Sequence, residues 1–442
     1  MNGKAAKRGV PLADLAPRLD DDIAAARITL TGQVQGVGFR PFVYRLATQR
    51  NLQGTVQNRL GEVEVVAVGR PADLRQFRQE LVTMAPPLSR PTISAVEPID
   101  APSMARFEII ESAGGREAKI FVPPDYFMCD DCRSELHEPG DRRFRYPFIN
   151  CTQCGPRYTL IEALPYDRPN TSMADFPLCS DCKQEYLDPA DRRFHAEPVA
   201  CPLCGPQLTF ESAGQPDISD SGAALDAAVN AIRNGDVIAV KGIGGYHLVC
   251  DAADESAVEK LRQRKRRPDK PLAVMFPVEA RDGLDQVRRY VRPGSAEAVL
   301  LAGPIRPIVL VQRNADCALA ANVAPGLEEI GAFLPYSPLH ELLLETCRGP
   351  VVATSGNISG EPVLTDNSEA SQRLRTIADG FLQHDRPIVR PADDPVYRRI
   401  AGSMRPLRIG RGCAPRELGL PWPQKQPLLA VGGHMKGALA LS

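Results

Sequence analysis

At 442 residues the chain is too long for one hydrophobic core, so we expect roughly two to four domains. Its formal net charge of -1 excludes an overall electrostatic attraction to nucleic acid or membrane, so any anion site must come from a local cluster of residues. The N-terminal tail carries Lys4, Lys7 and Arg8, but polar and acidic residues follow where a signal peptide needs an apolar core. No apolar run reaches membrane-spanning length, and the sequence therefore predicts a cytoplasmic protein with no membrane partner.

Residues 27–112 alternate strand and helix patterns. The segments RITLTGQV and ARFEIIES are typical of a first and a last strand, and LQGTVQN and EVEVVAVG indicate a hairpin that turns at Arg59–Gly61. Helical patterns in RPFVYRLATQRN and PADLRQFRQELVTM follow the first and the third of these strands. The resulting β-α-β-β-α-β order predicts a ferredoxin-like sandwich, in a domain that spans residues 25–115.

The loop GQVQGVGFRPF, residues 32–42, joins the first strand to the first helix. Its glycines allow backbone N–H groups to converge at a helix N-terminus, where a small anion can bind and Arg40 can hold it in a bidentate fork. A nucleotide-binding P-loop would end in Gly-Lys-Ser or Gly-Lys-Thr, which this loop does not. A glycine-rich hairpin with a surface arginine is the alternative interpretation. The candidate phosphate loop comprises Gln35, Gly36, Val37, Gly38 and Phe39.

The motif VQGVGFR, followed by GTVQN, resembles the acylphosphatase family. The resemblance implies that Arg40 neutralises charge on the phosphoryl oxygens, while Asn58 on the next strand orients the attacking water. Such a pair would lower the barrier by positioning and electrostatics rather than by covalent chemistry. Taken alone, Asn58 could equally be a residue at the end of a hairpin strand.

Eight of the twelve cysteines form four Cys-x-x-Cys pairs in residues 120–210. The second set of four lies fifty positions after the first, and the neighbouring sequences DRRFRYPFINCTQCGP and DRRFHAEPVACPLCGP repeat with it. Each set can close a tetrahedral shell, which predicts a tandem zinc-finger module with two structural zinc ions. The predicted ligands are Cys129, Cys132, Cys151 and Cys154 in the first set, and Cys179, Cys182, Cys201 and Cys204 in the second.

Other uses of these cysteines are less favoured by the spacing. Iron–sulfur ligation and redox disulfides are the competing interpretations, but the sets are even and closed. His137 or His195 could act as a ligand only if a quartet were interrupted, and neither is. Ligand pairing across the two repeats stays open at this point.

Residues 218–418 return to mixed α/β patterns and contain two polar motifs. The basic run LRQRKRRPDK precedes an apolar strand, and VATSGNISGEP follows another, which suits phosphate and nucleotide contacts. With LPYSPLHELLL and PLRIGRG, these segments resemble the YrdC/Sua5 family. The resemblance implies a site for ATP with Mg²⁺ and for a carbamoyl-type adenylate. The glycine loop that starts at Lys241 is weaker evidence, because it could be only a strand-to-helix turn. The residues matched to the family are Lys265, Arg267, Lys270, Ser355 and Asn357.

The order of these three segments resembles the HypF family, carbamoyltransferases of nickel–iron hydrogenase maturation. The resemblance implies that carbamoyl phosphate is hydrolysed, that the carbamate is adenylated with ATP, and that a C-terminal Kae1-like domain passes the carbamoyl group to the C-terminal cysteine of HypE. Residues 428–442 match only the start of that last domain, so we expect a fragment or a shortened form that does not complete the transfer alone.

Two other classes of function stay open. The fingers and the basic run could belong to an RNA-binding or RNA-modification protein of the YrdC/Sua5 type, although the charge balance argues against a nucleic-acid partner. A non-catalytic scaffold for hydrogenase assembly is the third possibility, and it would show no turnover with carbamoyl phosphate.

Overall fold

A computed structural model describes residues 23–59, 62–86, 88–110, 122–164, 166–416, 418, 420, 422, 426–432 and 437–442. The basic tail residues predicted from sequence and positions 60–61 of the predicted hairpin turn lie outside this part of the chain. The chain forms two compact units. The first comprises the described residues up to Pro123 together with Cys151–Gln153 and Ser180–Ala196, and the second comprises Pro124–Asn150, Cys154–Cys179 and the described residues from Glu197 onward.

The N-terminal half of the chain contains the elements of the first sheet and the helices of the cysteine segment. In chain order they are β1 (Ala24–Gln33), α1 (Phe39–Gln49), β2 (Gln53–Arg59), β3 (Glu62–Gly69), α2 (Pro71–Thr83), β4 (Arg90–Ile99), β5 (Phe107–Ile109), α3 (Asp130–His137), α4 (Ser180–Leu187) and β6 (Leu208–Ser212).

The C-terminal half contains most of the second sheet. Its elements are α5 (Ser221–Arg233), β7 (Ile238–Lys241), β8 (Tyr246–Asp251), α6 (Glu255–Lys265), β9 (Ala273–Met275), α7 (Asp285–Tyr290), α8 (Ser295–Ala302), β10 (Ile308–Gln312), β11 (Glu329–Phe333), α9 (Pro338–Cys347), β12 (Val351–Ser355), α10 (Asn367–Arg373), β13 (Gly380–His384), β14 (Val396–Ile400), β15 (Ser403–Arg408), β16 (Leu429–Val431) and β17 (Leu439–Leu441).

The first unit is built on a five-stranded sheet with the order β4-β1-β3-β2-β5. Alternating side chains of β1 and β3, such as Ile28 and the opposite Val65, are buried, as expected for a sheet covered on one face. Helices α1 and α2 contribute Val43 and Phe77, which are fully buried in the same core. The predicted ferredoxin-like sandwich is confirmed.

One strand of this sheet has no counterpart in the sequence analysis. Strand β4 pairs antiparallel with β1 along the sheet edge, with Val96 opposite Ile28. None of its side chains is fully buried, and Pro91 and Pro98 interrupt the pattern. An edge strand without a buried face lacks the alternation by which strands are recognised from sequence.

The second unit is built on a ten-stranded mixed sheet with the order β15-β14-β10-β11-β9-β12-β8-β7-β13-β6. Residues of β7 and β8 are almost all buried, so these central strands are apolar runs rather than alternating ones. Several of its helices begin where a side chain accepts a backbone N–H: Asp220 caps α5, Asp254 caps α6, Ser337 caps α9 and Asp366 caps α10. The predicted mixed α/β domain is confirmed.

The second unit also differs from expectation at one place. Strand β6 lies before residue 218, where the predicted mixed α/β domain starts, yet it pairs with β13 of that domain, and its Leu208 and Phe210 are buried. Near the C-terminal end, β16 pairs with β17. Among the helices in the described part of the chain, none combines the length and the apolar character needed to cross a membrane.

Candidate active sites and metal centres

The predicted phosphate loop turns into α1 through two glycines in the left-handed region. Gly36 has φ 68° and Gly38, the residue that precedes the helix, has φ 71°, conformations that side chains with a Cβ rarely adopt. Helix α1 has no acidic residue in its first turn, and no side chain caps its start. The positive end of the helix is therefore directed at the loop, as an anion site requires.

The remaining loop residues anchor this turn. Val37 and Phe39 are each only 1% exposed and belong to the core of the sandwich. The Gln35 side chain donates hydrogen bonds to the carbonyl oxygens of Arg59 and Glu62, both at 3.3 Å, and so ties the loop to β2 and β3. The buried Val37 and Phe39 and the hydrogen bonds of Gln35 therefore fix the position of the loop.

Arg40 and Asn58, the predicted catalytic pair, belong to the elements that flank this loop. Arg40 is half-buried in the first turn of α1, and Asn58 is half-buried on β2, opposite Val63 of β3. The Asn58 Oδ1 atom is buried and has no hydrogen-bond partner among the described residues. A buried acceptor without a partner suits a bound water molecule, because leaving it unsatisfied costs about 1–3 kcal/mol.

The eight predicted zinc ligands form two clusters, each made by one repeat. Within each quartet the four Sγ atoms lie within 4.8 Å of one another, which settles the pairing that the spacing left open. The Sγ atoms of Cys132 and Cys154 are 3.6 Å apart, and that of Cys201 lies 3.8 Å from those of Cys179 and Cys204. Zinc–sulfur bonds of about 2.3 Å in a tetrahedron place sulfurs about 3.8 Å apart, so both clusters fit a zinc ion.

The two repeats also share their backbone geometry. Arg145 and His195 occupy equivalent positions, and both are left-handed, with φ 53° and 51°. The Arg145 N–H donates to the Leu136 carbonyl at 2.8 Å, and the His195 N–H donates to the Tyr186 carbonyl at 3.0 Å. The side chains of the two repeats make different contacts, however. In the first repeat, for example, the His137 ring lies 3.2 Å from the Glu341 carboxylate.

The five residues predicted for nucleotide binding line one cavity of the second unit, with a volume of about 380 Å³. They come from two places in the chain, the end of α6 with the following loop and the turn after β12. The basic run divides between two roles. Arg262 donates to the carbonyl of Asn322 and Arg264 pairs with Asp379, so both are structural. The residues that reach the cavity are Lys265, Arg267, Lys270, Ser355 and Asn357.

Lys265 joins the two halves of the cavity wall. Its Nζ atom donates to the carbonyl oxygens of Ser355 and Asn357, at 2.6 and 2.8 Å, and to Asn357 Oδ1 at 3.1 Å. The Ser355 hydroxyl donates to the same Oδ1 at 2.8 Å. The Asn357 amide donates to the carbonyls of Ile358 and Glu361, which closes the turn after β12. The Lys265 ammonium group is thus held at the turn that the Asn357 side chain stabilises.

Arg267 lies beside this turn. Its guanidinium donates to the Thr354 hydroxyl at 3.2 Å and to the Pro271 carbonyl at 2.6 Å. Burial, and then the nearby charges of Arg262 and Arg408, lower the pKa of Arg267 to about 10. It nevertheless stays a cation at neutral pH, and an anion in the cavity would relieve the repulsion among these charges.

A buried polar network at the back of the cavity was not identified from sequence. His247 Nε2 lies 2.8 Å from Asp394 Oδ2, and Tyr336 OH lies 3.0 Å from His247 Nδ1. Arg411 donates to Asp394 and stacks on the Tyr336 ring, 3.6 Å from its centroid. Burial opposes ionisation of Asp394, but the His247 and Arg411 charges outweigh it and lower its pKa. The only sequence signals were LPYSPLH and PLRIGRG, which contain Tyr336 and Arg411.

The glycine loop after Lys241 is not the strand-to-helix turn that the sequence also allowed. It connects β7 to β8 as an antiparallel hairpin. Lys241 does not line the described cavity, because its Nζ atom donates to Asn367 Oδ1 and to the His384 carbonyl. Gly245 and His247, which follow it, do line the cavity.

Comparisons with known proteins agree with this division of the chain. The family model described as acylphosphatase matches residues 26–109, the HypF finger matches residues 128–161 and 178–211, and the model described as telomere recombination, for the Sua5, YciO and YrdC proteins, matches residues 230–410. The chain is 49% identical over 415 residues to a carbamoyltransferase HypF of Synechocystis sp., an alignment that covers 94% of this chain and 53% of that protein. It is 45% identical to a carbamoyltransferase HypF of Rhizobium leguminosarum bv. viciae, covering 97% of this chain and 54% of that one.

The structure is also similar to a solved structure over almost its whole length. A crystal structure of full-length HypF in the phosphate- and nucleotide-bound form matches with a TM-score of 0.87 and 42% identity, covering 95% of this chain and 54% of that one. The chain thus spans about half the length of the curated relatives it matches. Shared segments, their order and the common structure together show that the chain belongs to the HypF family.

Proposed function

We propose that this chain carries out the first two reactions of carbamoyl transfer in hydrogenase maturation: hydrolysis of carbamoyl phosphate and adenylation of the carbamate. The observation that carries the proposal is that five residues predicted from two separate motifs line one cavity, in a chain that also contains an acylphosphatase segment. The two sites belong to different units, which suits two successive reactions.

At the first site, water attacks the phosphorus of carbamoyl phosphate, and the bond from phosphorus to the carbamoyl oxygen breaks, which releases carbamate and phosphate. Arg40 and the loop amides neutralise the phosphoryl oxygens. The buried Oδ1 of Asn58, which has no partner among the described residues, accepts a hydrogen bond from the attacking water. The left-handed glycines support this role because they leave the amides accessible to the anion.

At the second site, a carbamate oxygen attacks the α-phosphorus of ATP, which enters with Mg²⁺, and pyrophosphate leaves. Lys265, Arg267 and Lys270 would stabilise the charge on the phosphates. The turn at Ser355 and Asn357 would hold the carbamoyl end of the adenylate. The relative crystallised with phosphate and nucleotide supports this assignment.

The carbamoyl adenylate would then be attacked by the C-terminal thiol of a HypE-type acceptor, which yields a thiocarboxamide and releases AMP. The two cysteine quartets would each hold a structural zinc ion, since a shell of four thiolates leaves no position for substrate.

A product assay tests the proposal. Purified protein is incubated with carbamoyl phosphate and MgATP, and phosphate, pyrophosphate and AMP are measured; we expect phosphate release without ATP, and pyrophosphate release only when both substrates are present. Mass spectrometry of a HypE C-terminus added to the mixture reports the transfer step. Release of pyrophosphate at the same rate without carbamoyl phosphate would contradict the coupling of the two reactions.

A further inference from the structure

A residue of the cysteine segment lies directly against the phosphate loop within the first unit. A Cβ built on Gly38 would come 2.6 Å from Thr152 Oγ1 and 2.9 Å from Thr152 Cβ. The same construction on Gly36 would meet Pro123 Cγ at 2.6 Å. One face of the loop is therefore closed by residues from outside the sandwich.

Thr152 is held in place by the loop Asp191–His195, which also belongs to the first unit. The Thr152 hydroxyl donates to the Arg192 carbonyl at 3.0 Å, and its backbone N–H points to the same oxygen. Asp191 accepts the Arg193 N–H at 2.7 Å, which fixes the turn. Its charge also reaches α1, where it partly offsets the lowering of the Arg45 pKa by burial.

His195 ends this loop. Its ring is stacked on Tyr186, with centroids 4.8 Å apart, and lies 4.4 Å from the Phe194 ring. Burial, and then the charge of Arg40, lower the pKa of His195 to about 4, so the ring is neutral at physiological pH. This neutral aromatic ring thus ends the loop whose Arg192 carbonyl holds Thr152 against Gly38.

The first repeat has the same backbone without this ring. Arg145 shares the left-handed conformation of His195, but its guanidinium lies 3.5 Å from the Thr346 hydroxyl in the second unit. The aromatic residue at this position is therefore not required by the fold of the cysteine repeat.

We propose that Thr152 and the loop Asp191–His195 form one wall of the acyl-phosphate site, and that this wall restricts the site to compact acyl groups. The inference rests on the proposed hydrolysis at Arg40. A phosphoryl group bound by the loop amides places its acyl substituent beside the wall, where a carbamoyl or acetyl group fits and an aromatic acyl group meets the His195 ring. His195 acts here as a specificity-determining residue.

The test compares His195→Gly and His195→Asn with the wild-type protein. Glycine and asparagine tolerate the left-handed backbone, so both variants should keep two zinc ions per chain, which is measured first. Calorimetry then gives the affinities for acetylphosphonate and benzoylphosphonate. Neither compound is hydrolysed, so the ratio of the two affinities measures how well the site accepts a small and an aromatic acyl group. We expect the wild type to prefer acetylphosphonate by about tenfold or more, and the variants to lose most of that preference. Arg145→Gly is the matched control and should leave the preference unchanged.

Hydrolysis of carbamoyl phosphate is measured in parallel and reports on the proposed function separately. An equal acetyl-to-benzoyl preference in the wild type and in both variants would overturn the wall, and so would a wild type that binds neither phosphonate. Absence of carbamoyl phosphate hydrolysis, with the phosphonate preference present and dependent on His195, would overturn the proposed function and leave the wall standing.

Discussion

Arg40 and Asn58 show how much a single side chain can depend on its backbone position. Arg40 is the second residue of α1, which begins directly after the left-handed Gly38, so its guanidinium and the helix N-terminus add positive charge at one place. Asn58 keeps a buried oxygen without a partner in the described residues. Both features concern single residues, and both can be tested by single substitutions.

Substitution of Arg40 by alanine is expected to reduce phosphate release from carbamoyl phosphate by about a hundredfold or more, because the developing phosphoryl charge loses its bidentate partner. Phosphate is measured by a coupled colorimetric assay. Arg75→Ala removes an exposed arginine from α2 of the same unit and serves as the control for lost charge. Wild-type hydrolysis by Arg40→Ala would rule out the acylphosphatase assignment.

His340 gives a prediction about pH. Burial, and then the His247 charge, lower its pKa to about 3 from the ordinary value of 6.5. Between these values the unfolded chain binds a proton at this position that the folded chain excludes. The free energy of unfolding therefore falls as the pH is lowered, by at most about 1.4 kcal/mol per pH unit from this residue.

Urea unfolding of wild type and His340→Gln between pH 5 and 7.5 measures this contribution, and the difference in slope isolates the histidine. His137→Gln is the control with the opposite sign, because the hydrogen bond to Glu341 raises the pKa of His137. The free energy of unfolding that protonated His137 contributes is therefore fully present below pH 6.5, and it is lost as the pH rises through the pKa of His137 in the folded protein. Identical slopes for wild type and His340→Gln would contradict the assignment.

At the scale of elements, the cysteine repeats show that a short sequence can specify its own geometry. Helices α3 and α4 each begin directly after the first cysteine of a repeat, and equivalent backbone hydrogen bonds follow fifty residues apart. A metal shell can replace much of a hydrophobic core in such a segment, so metal binding and folding are coupled.

Cys154→Ser is expected to lower the zinc content from about two ions per chain to about one, because one shell loses a thiolate. Mass spectrometry with elemental detection gives the stoichiometry, and hydrogen exchange should show loss of protection in residues 120–205. Cys317→Ser, at a half-buried cysteine outside both quartets, should change neither. A folded wild-type protein without zinc would exclude the structural-metal interpretation.

The turn after β12 is a second element that depends on one residue. Asn357→Ala removes the amide that satisfies the carbonyls of Ile358 and Glu361, and it removes one acceptor from Lys265. We expect a loss of about 1–3 kcal/mol in the free energy of unfolding and a loss of carbamoyl-phosphate-dependent pyrophosphate release. Urea titration and a pyrophosphate assay measure the two effects. Full pyrophosphate release by a destabilised Asn357→Ala protein would remove this turn from the nucleotide site.

At the scale of the whole molecule, the two proposed reactions use residues of different units. Carbamate is the only species that they need to share. Substitutions at the first site should therefore leave the second site chemically competent.

Arg40→Ala should fail to produce pyrophosphate with carbamoyl phosphate and ATP, but ammonium carbamate added in place of carbamoyl phosphate should restore it. The reason is that the cavity of Lys265 and Asn357 is intact in this variant. AMP and pyrophosphate are quantified by chromatography. If added carbamate gives no pyrophosphate with either Arg40→Ala or wild type, carbamate is not the shared intermediate.

Features that depend on neighbouring residues in the chain could be predicted without a structure. The Cys-x-x-Cys pairs specify ligands because both thiolates belong to one turn, and the left-handed Gly36 and Gly38 can be expected because few other residues adopt that backbone. Lys265 and Asn357 were predicted as residues of the nucleotide site because each belongs to a continuous motif that resembles the YrdC/Sua5 family. Apart from β4, the order of strands and helices in the sandwich followed from alternation along the chain.

Contacts between distant segments became evident only in the folded chain. His247, Tyr336, Asp394 and Arg411 form one network although His247 lies 89 positions before Tyr336 and 147 before Asp394, and no local pattern links them. The contact of Thr152 with Gly38 likewise joins segments from different folds. Side-chain periodicity reports whether a residue faces a core, but it carries no information on which residue lies opposite. That choice is made by the packing of complete elements, when burial of apolar area is large enough to select one arrangement.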